Sequence, residues 1–317
     1  MNHFTSVHDV ENVQSLIQSA LELKKSPFED KELGKNKTIG LIFLNPSLRT
    51  RLSTEKAAKN LGMEVMSMNF GSDGWGLETQ DGVIMKQGPG EHIKEAAAVV
   101  GQYCDIIGIR SFPKLLDREE DYADKILNDF IRYSGKPVIS LESSTRHPLQ
   151  SLTDAITIEE YKKTEKPKVV LTWAPHIKAL PQAVGNSFAE WMNKLTNVDF
   201  CITHPEGYEL ADSFVGGATV TYNQEEAFKD ADFIYAKNWS SYRDYGQILN
   251  QDASWMIDSK KMKLTNDAKF MHCLPVRRNV VVSDELLDSE NSLVINQAGN
   301  REFAAQAVLK EILLNSK

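Results

Sequence analysis

The sequence predicts an α/β protein made of two doubly wound, parallel-sheet domains joined by interdomain helices. Three observations carry that prediction. Short β-rich runs alternate with helical patterns almost from end to end, the pattern of strand–helix–strand units. The runs are largely apolar, as strands covered on both faces of a sheet are. The chain of 317 residues is also long enough to bury two cores of ordinary size.

The elements follow in order. An amphipathic helix opens the chain, with Val13, Leu16, Ile17, Ala20 and Leu21 on one face. Four buried strands are predicted next: TIGLIF (38–43), EVMSM (64–68), DIIGI (105–109) and PVISL (137–141). A second series comprises KVVLTW (168–173), VDFCIT (198–203), DFIYA (232–236), KFMHCL (269–274) and SLVIN (292–296). Between the two series, residues 147–168 read as a joining helix, with Pro148 in its first turn and a polar, lysine-rich end. These observations divide the chain into a first domain over 1–146 and a second over 147–301. A C-terminal amphipathic helix, 302–317, is expected to return to the first domain.

Composition excludes several classes. The chain is 41% hydrophobic and 25% charged, within the range of soluble globular proteins. A net charge of −8 argues against a nucleic-acid binder, which carries a basic excess. Cys104, Cys201 and Cys273 are far apart, without metal-ligand spacing, which fits free thiols in a reducing compartment. The first residues, MNHFTSVHDVENV, show neither the basic nor the apolar region of a signal peptide, and no apolar run is long enough to span a bilayer. A cytoplasmic protein is therefore expected.

Open parallel sheets bind ligands beyond the carboxyl ends of their strands. Nearly every predicted strand here delivers a polar residue to that edge. Ser47, Arg49, Thr50 and Arg51 follow the first strand, Arg110 the third, and Glu142 then His147 the fourth. In the second half His176, Lys237, His272-Cys273 and Arg301 occupy equivalent places. Taken singly, each has a bland explanation: an arginine in a surface ion pair, a satisfied core histidine, a cysteine acting as a small hydrophobe. Their joint placement points to a site. The stretch FLNPSLRTRLS (43–53) is the strongest element. A helix starting near Arg51 would offer unpaired N–H groups and a positive dipole end, and with the hydroxyls and guanidinium it forms an oxyanion site suited to phosphate. Neither a Walker loop nor a GxGxxG fingerprint is present.

SLRTR (47–51), HPLQSLTD (147–154) and HCLPVRR (272–278) resemble the three signatures of the aspartate/ornithine transcarbamylase family. The resemblance runs over essentially the whole chain. GVIMKQGPGEHIKEA, DIIGIRSFPK, LTWAPHIKALPQAV and IYAKNW resemble its N-acylornithine branch, and most closely the N-succinylornithine enzymes. The resemblance implies a cytoplasmic homotrimer, acting in arginine biosynthesis without metal or cofactor, that moves a carbamoyl group from carbamoyl phosphate to an amine. It implies that Ser47, Leu48, Arg49 and Thr50 hold the phosphate with Arg110 beside them. His147, Gln150, the Cys273-Leu274 backbone and Arg301 would meet the carbamoyl group. Arg49, Arg110, His147, Cys273 and Arg301 would form the catalytic set, with Trp75 reaching into the carbamoyl phosphate site of a neighbouring subunit. Glu142, His176, Lys178, Lys237 and Arg278 match positions that bind the acylornithine, with Gly90 at the acyl pocket.

Two departures bear on the acyl group. Gly90 stands where acetyl enzymes carry glutamate and succinyl enzymes proline, and Val281 stands where the acetyl type has a lysine. Without a glutamate to repel it, the extra carboxylate of a succinyl group is admitted. Lys178 takes a place where the succinyl type can offer arginine, keeping the charge but not the bidentate fork. The alternatives are an acetylornithine or ornithine enzyme, and a non-catalytic sensor of an anionic metabolite. The complete set from Ser47 to Thr50 with His147 and Arg301 weighs against the sensor.

Overall fold

The computed structural model describes residues 1–70 and 73–315. Gly71 and Ser72, ahead of Trp75, and residues 316–317 of the expected C-terminal helix lie outside the described residues. The chain forms two compact units. One holds Met1–Lys114, Arg118–Leu149 and the residues from Arg301 on; the other holds Leu115–Asp117 and Gln150–Asn300. The division falls inside two helices, Pro148–Tyr161 and Val294–Asn315.

In the first unit the strands are β1 (Thr38–Phe43), β2 (Glu64–Asn69), β3 (Leu77–Glu78), β4 (Glu91–His92), β5 (Ile106–Arg110) and β6 (Val138–Glu142). β3 and β4 form a short ribbon, and the others make a parallel sheet in the order β2-β1-β5-β6. The helix Arg49–Asn60 leads from β1 to β2; Ile93–Tyr103 then brings the chain back past β1 to β5. Right-handed crossovers in opposite directions put such helices on opposite faces. The order therefore reverses between β1 and β5, and the carboxyl ends at such a reversal are where open parallel sheets bind ligands. Ile39, Leu41, Ile42, Phe43, Ile107 and Ile109 are buried on the central strands. The helices Ile93–Tyr103 and Lys125–Ser134 approach so closely at Gly101 that a Cβ there would lie 2.1 Å from the Ser134 carbonyl oxygen.

The second unit repeats the plan with β7 (Lys168–Trp173), β8 (Asp199–Thr203), β9 (Thr219–Thr221), β10 (Phe233–Lys237) and β11 (Lys269–Met271). These strands are parallel in the order β11-β10-β7-β8-β9, so the reversal lies between β7 and β10. Val170, Cys201, Ile234, Phe270 and Val281 contribute to one continuous core there. Among the described residues, no helix is long and apolar enough to cross a membrane.

The structure corrects four expectations. In the first helix, Val13–Lys25, Leu23 rather than Leu21 completes the buried face. β2 is an edge strand rather than a buried one: Met66 is 55% and Met68 39% exposed. The strand expected over 269–274 stops at Met271 because the His272 N–H turns to the Gln297 side chain and Leu274 takes a left-handed conformation. Finally, SLVIN is not a strand. Asn291 and Leu293 each bond the Phe270 backbone, and from Val294 the chain is helical through Asn315. The β-branched Val294 and Ile295 fit a strand locally, but tertiary packing overrides such propensity.

Candidate active site

The turn after β1 delivers Ser47 and Arg49, both half-buried, to the start of the helix Arg49–Asn60. Leu48 occupies the N-cap position, so no side chain caps the first-turn N–H groups. That leaves the positive end of the helix open to an anion. Thr50 is buried in the first turn, and its Oγ1 accepts a hydrogen bond of 2.6 Å from Nη2 of buried Arg301. The far end of the same helix is tied to the C-terminal helix, where Asn60 Nδ2 donates to Glu302 (2.7 Å) and Gln306 (3.0 Å).

At the ends of β5 and β6, Arg110 lies opposite Glu142. Its Nε and Nη2 reach Glu142 Oε2 at 3.3 and 3.0 Å, while Nη1 donates to the carbonyls of Asn45 and Pro46. His147 Nε2 lies 3.6 Å from the same glutamate oxygen. The structure thus gathers Arg110, Glu142 and His147 into one buried group in the first unit. Glu142, expected with the acylornithine, sits between two residues expected with carbamoyl phosphate. Asp124 organises the loop before His147: its carboxylate accepts from Ser143 Oγ (3.0 Å), the Ser144 N–H (2.9 Å) and Thr145 Oγ1. Burial pushes the Asp124 carboxyl up against the opposing pull of these hydrogen bonds.

In the second unit Gln150 and Asp154 stand one turn apart on the helix Pro148–Tyr161, and Gln150 Nε2 donates to Asp154 Oδ1 at 2.7 Å. Gln297 Nε2 donates to that oxygen at the same distance, and Gln297 Oε1 accepts the His272 N–H at 2.9 Å. His272 Nδ1 in turn accepts the Leu274 N–H at 2.9 Å. Gln150 is thereby connected to the turn carrying Cys273 and Leu274. Cys273 is half-buried and forms no disulfide.

At the reversal between β7 and β10, a recess is lined by Trp173, His176, Lys178, Tyr208, Asn238 and Trp239. The Lys178 carbonyl lies 3.0 Å from His176 Nδ1, and Arg277 Nε donates to His176 Nε2 at 3.3 Å. The Lys178 N–H also lies 3.0 Å from Nδ1. Burial first, then the cations Lys237, Arg277 and Lys178, hold this imidazole below its ordinary value. Lys237 ends β10 and is buried. Arg278 points elsewhere, to Asp284 Oδ1 (3.0 Å) and to Asp288 Oδ1 (2.6 Å) and Oδ2 (2.8 Å). Val281 is fully buried in the core. In the first unit Trp75 is 63% exposed and donates from Nε1 to Glu91 Oε2 at 2.9 Å. It lies so close to Gly90 that a Cβ at position 90 would be 3.1 Å from Trp75 Cγ. Among the described residues no cluster of His, Cys, Asp or Glu could hold a metal ion.

Two family models match the chain. Residues 2–160 match the aspartate/ornithine carbamoyltransferase carbamoyl-P binding domain, and residues 182–312 match the Asp/Orn binding domain of the same family. The chain belongs to the aspartate/ornithine carbamoyltransferase family.

Among carbamoyltransferases, it is 58% identical to the N-succinylornithine carbamoyltransferase of Bacteroides thetaiotaomicron, over 315 residues and 99% of both chains. Identity to the N-succinylornithine carbamoyltransferase of Bacteroides fragilis is 56%, again over 99% of each. The N-acetylornithine carbamoyltransferase of Xylella fastidiosa stands at 38%, over 92% of this chain and 93% of the relative. A solved N-acetyl-L-ornithine transcarbamylase variant complexed with carbamyl phosphate and N-succinyl-L-norvaline superposes with a TM-score of 0.93 at 34% identity, covering 98% of this chain and 100% of that one.

Within this carbamoyltransferase, reasoning from sequence passed over Arg277, Asp154 and Gln297. Arg277 adjoins Arg278, and nothing local tells which of two neighbouring arginines turns toward His176. Asp154 is the last residue of the HPLQSLTD motif and falls on the Gln150 face of its helix at a spacing of four. That spacing was a usable signal. Gln297 comes directly after the segment 292–296 read as strand, and has none.

Proposed function

We propose that this carbamoyltransferase moves the carbamoyl group of carbamoyl phosphate to the δ-amine of N-succinyl-L-ornithine, giving N-succinyl-L-citrulline and phosphate in arginine biosynthesis. The observation that carries the phosphate half is the pairing of Arg301 with Thr50 at an uncapped helix N-terminus beyond β1. The identity of 58% and 56% to two N-succinylornithine carbamoyltransferases, against 38% to an N-acetylornithine relative, supports the acyl choice.

In this reading the first unit binds the phosphate of carbamoyl phosphate. Ser47, Leu48, Arg49 and Thr50 receive its phosphate, with Arg110 and Arg301 supplying positive charge. His147, Gln150, Arg301 and the Cys273-Leu274 backbone meet the carbamoyl group. The second unit binds the acylornithine through His176, Lys178 and Lys237, with Arg277 beside His176. The neutral δ-amine attacks the carbamoyl carbon, the bond to the phosphate oxygen breaks, and the amine proton leaves with or through the phosphate. Arg49, Arg110, His147 and Arg301 stabilise charge that grows on the carbonyl and phosphate oxygens. Holding two reactants in line lowers such barriers by ~7–11 kcal/mol in well-oriented cases. The protein is further proposed to act as a cytoplasmic homotrimer, with exposed Trp75 contributing to a neighbouring subunit.

The test is a carbamoylation assay with carbamoyl phosphate and, in parallel, N-succinylornithine, N-acetylornithine and ornithine. Turnover of the succinyl compound well above the others is expected. Preference for the acetyl compound would overturn the acyl assignment, and absence of any product would overturn the reaction.

A further inference from the structure

The buried hydrogen-bond chain in the second unit has a direction that can be traced from one end. The His272 N–H is a backbone donor whose polarity cannot change, and it points at Gln297 Oε1 at 2.9 Å. That contact places the Gln297 nitrogen on the other side, where it donates to Asp154 Oδ1 at 2.7 Å. Asp154 Oδ1 is therefore an acceptor, and Gln150 can meet it at 2.7 Å only through its own nitrogen. The reversed carboxamide would set two acceptor oxygens against each other. Asp154 and Gln297 are 0% and Gln150 1% exposed, so a mismatched pair of polar groups there would be costly.

We propose that Asp154 is a positioning residue that turns the Gln150 carboxamide so that its oxygen, not its nitrogen, is offered to the NH₂ of the carbamoyl group. The inference rests on the reading above, in which Gln150 meets that group. An acceptor is what the carbamoyl nitrogen, a donor of two protons, requires; a flipped carboxamide would put NH₂ against NH₂. The same carboxylate steadies the His272–Leu274 turn through Gln297, so one buried oxygen orders two parts of the proposed carbamoyl site. Tyr235 lies beside Asp154 and Cys273, and burial, helped by the Asp154 charge, holds its phenol well above the usual range. It stays protonated and adds no second negative charge beside Asp154.

The experiment compares carbamoyl phosphate with acetyl phosphate, which has the same phosphate and carbonyl but a methyl group in place of NH₂. Their dissociation constants are measured for the full-length protein and for Asp154→Leu and Asp154→Asn, with folding checked by circular dichroism. Asp154→Leu removes the acceptor and is expected to weaken carbamoyl phosphate by about tenfold or more while acetyl phosphate changes by less than about twofold. Asp154→Asn keeps an oxygen for both carboxamides and should retain the discrimination. Equal weakening of both ligands would mean a merely structural role and overturn the proposal, as would no change in either. Should Asp154→Leu fail to fold, Asp154→Ser, whose hydroxyl is too short to reach Gln150, is read by the same ratio. A parent protein that does not turn over carbamoyl phosphate would instead overturn the underlying function.

Discussion

Arg110 and Glu142 face each other across the ends of two adjacent parallel strands, and two guanidinium nitrogens converge on a single carboxylate oxygen at 3.0 and 3.3 Å. Their side chains are 9% and 8% exposed, so the pair is shielded from solvent. Removing one partner of such a pair strands the other charge, at a cost of about 3–5 kcal/mol. Glu142→Ala is expected to lower unfolding stability by about 3 kcal/mol, read by urea denaturation at neutral pH. A loss below about 1 kcal/mol, the range of a surface pair, would mean that water reaches and screens Arg110.

Thr50→Val keeps the volume of the side chain but deletes the acceptor of the Arg301 hydrogen bond. A hydrogen bond to a charged group contributes about 1.5–3 kcal/mol. The expected result is a rise of about tenfold or more in KM for carbamoyl phosphate, with KM for the acylornithine unchanged. Equal changes in both would place Thr50 outside the phosphate site.

Gly90→Glu is expected to lower kcat/KM for N-succinylornithine by about tenfold relative to N-acetylornithine, because like charges across a pocket disfavour the dicarboxylate. Gly90→Ala serves as its control. The added Cβ presses on Trp75, so the Trp75 emission should shift while the preference between the two amines stays. If the alanine variant shifts the preference as far as the glutamate does, crowding and not charge sets specificity.

Acid should loosen the second unit through its histidines. His204 is 2% exposed, with Nδ1 2.9 Å from the Pro205 carbonyl, and its ring edges against Tyr222 and Trp239. Burial, the dominant cause, holds it below the ordinary value of 6.5, and His176 is shifted the same way. The unfolded chain therefore binds protons near pH 6.5 that the folded protein takes up only at lower pH. Stability is full above that value and falls as pH drops through the window below it. Thermal midpoints measured from about pH 7.5 to about pH 5.5 should decline, and His204→Asn should flatten the decline. An unchanged slope in the variant would remove His204 as a contributor.

Much of this was legible along the chain because it is local. Continuous apolar runs such as TIGLIF and KVVLTW became β1 and β7 at the expected bounds. The helix after Ser47 begins at Arg49, two residues before the expected start, since helix ends depend on caps and Leu48 supplies none. The segment 292–296 misled because Val and Ile suit either structure, and only its neighbours chose helix. Arg277 and Arg278 are alike in sequence; Asp284 and Asp288 capture the second and leave the first for His176.

The sequence by itself determined the class of fold, the alternation of strands and helices, and the delivery of Ser47, Arg110, His147, His176 and Lys237 to strand ends, because periodicity and strand polarity are encoded within a few residues. Only the tertiary structure decided who meets whom. Glu142 joins Arg110 because β5 and β6 are neighbours, and Gln150 joins Gln297 because two helices far apart in the chain share Asp154. Those partnerships depend on sheet order and on buried polar groups finding each other in the absence of water, and neither is written at any single position.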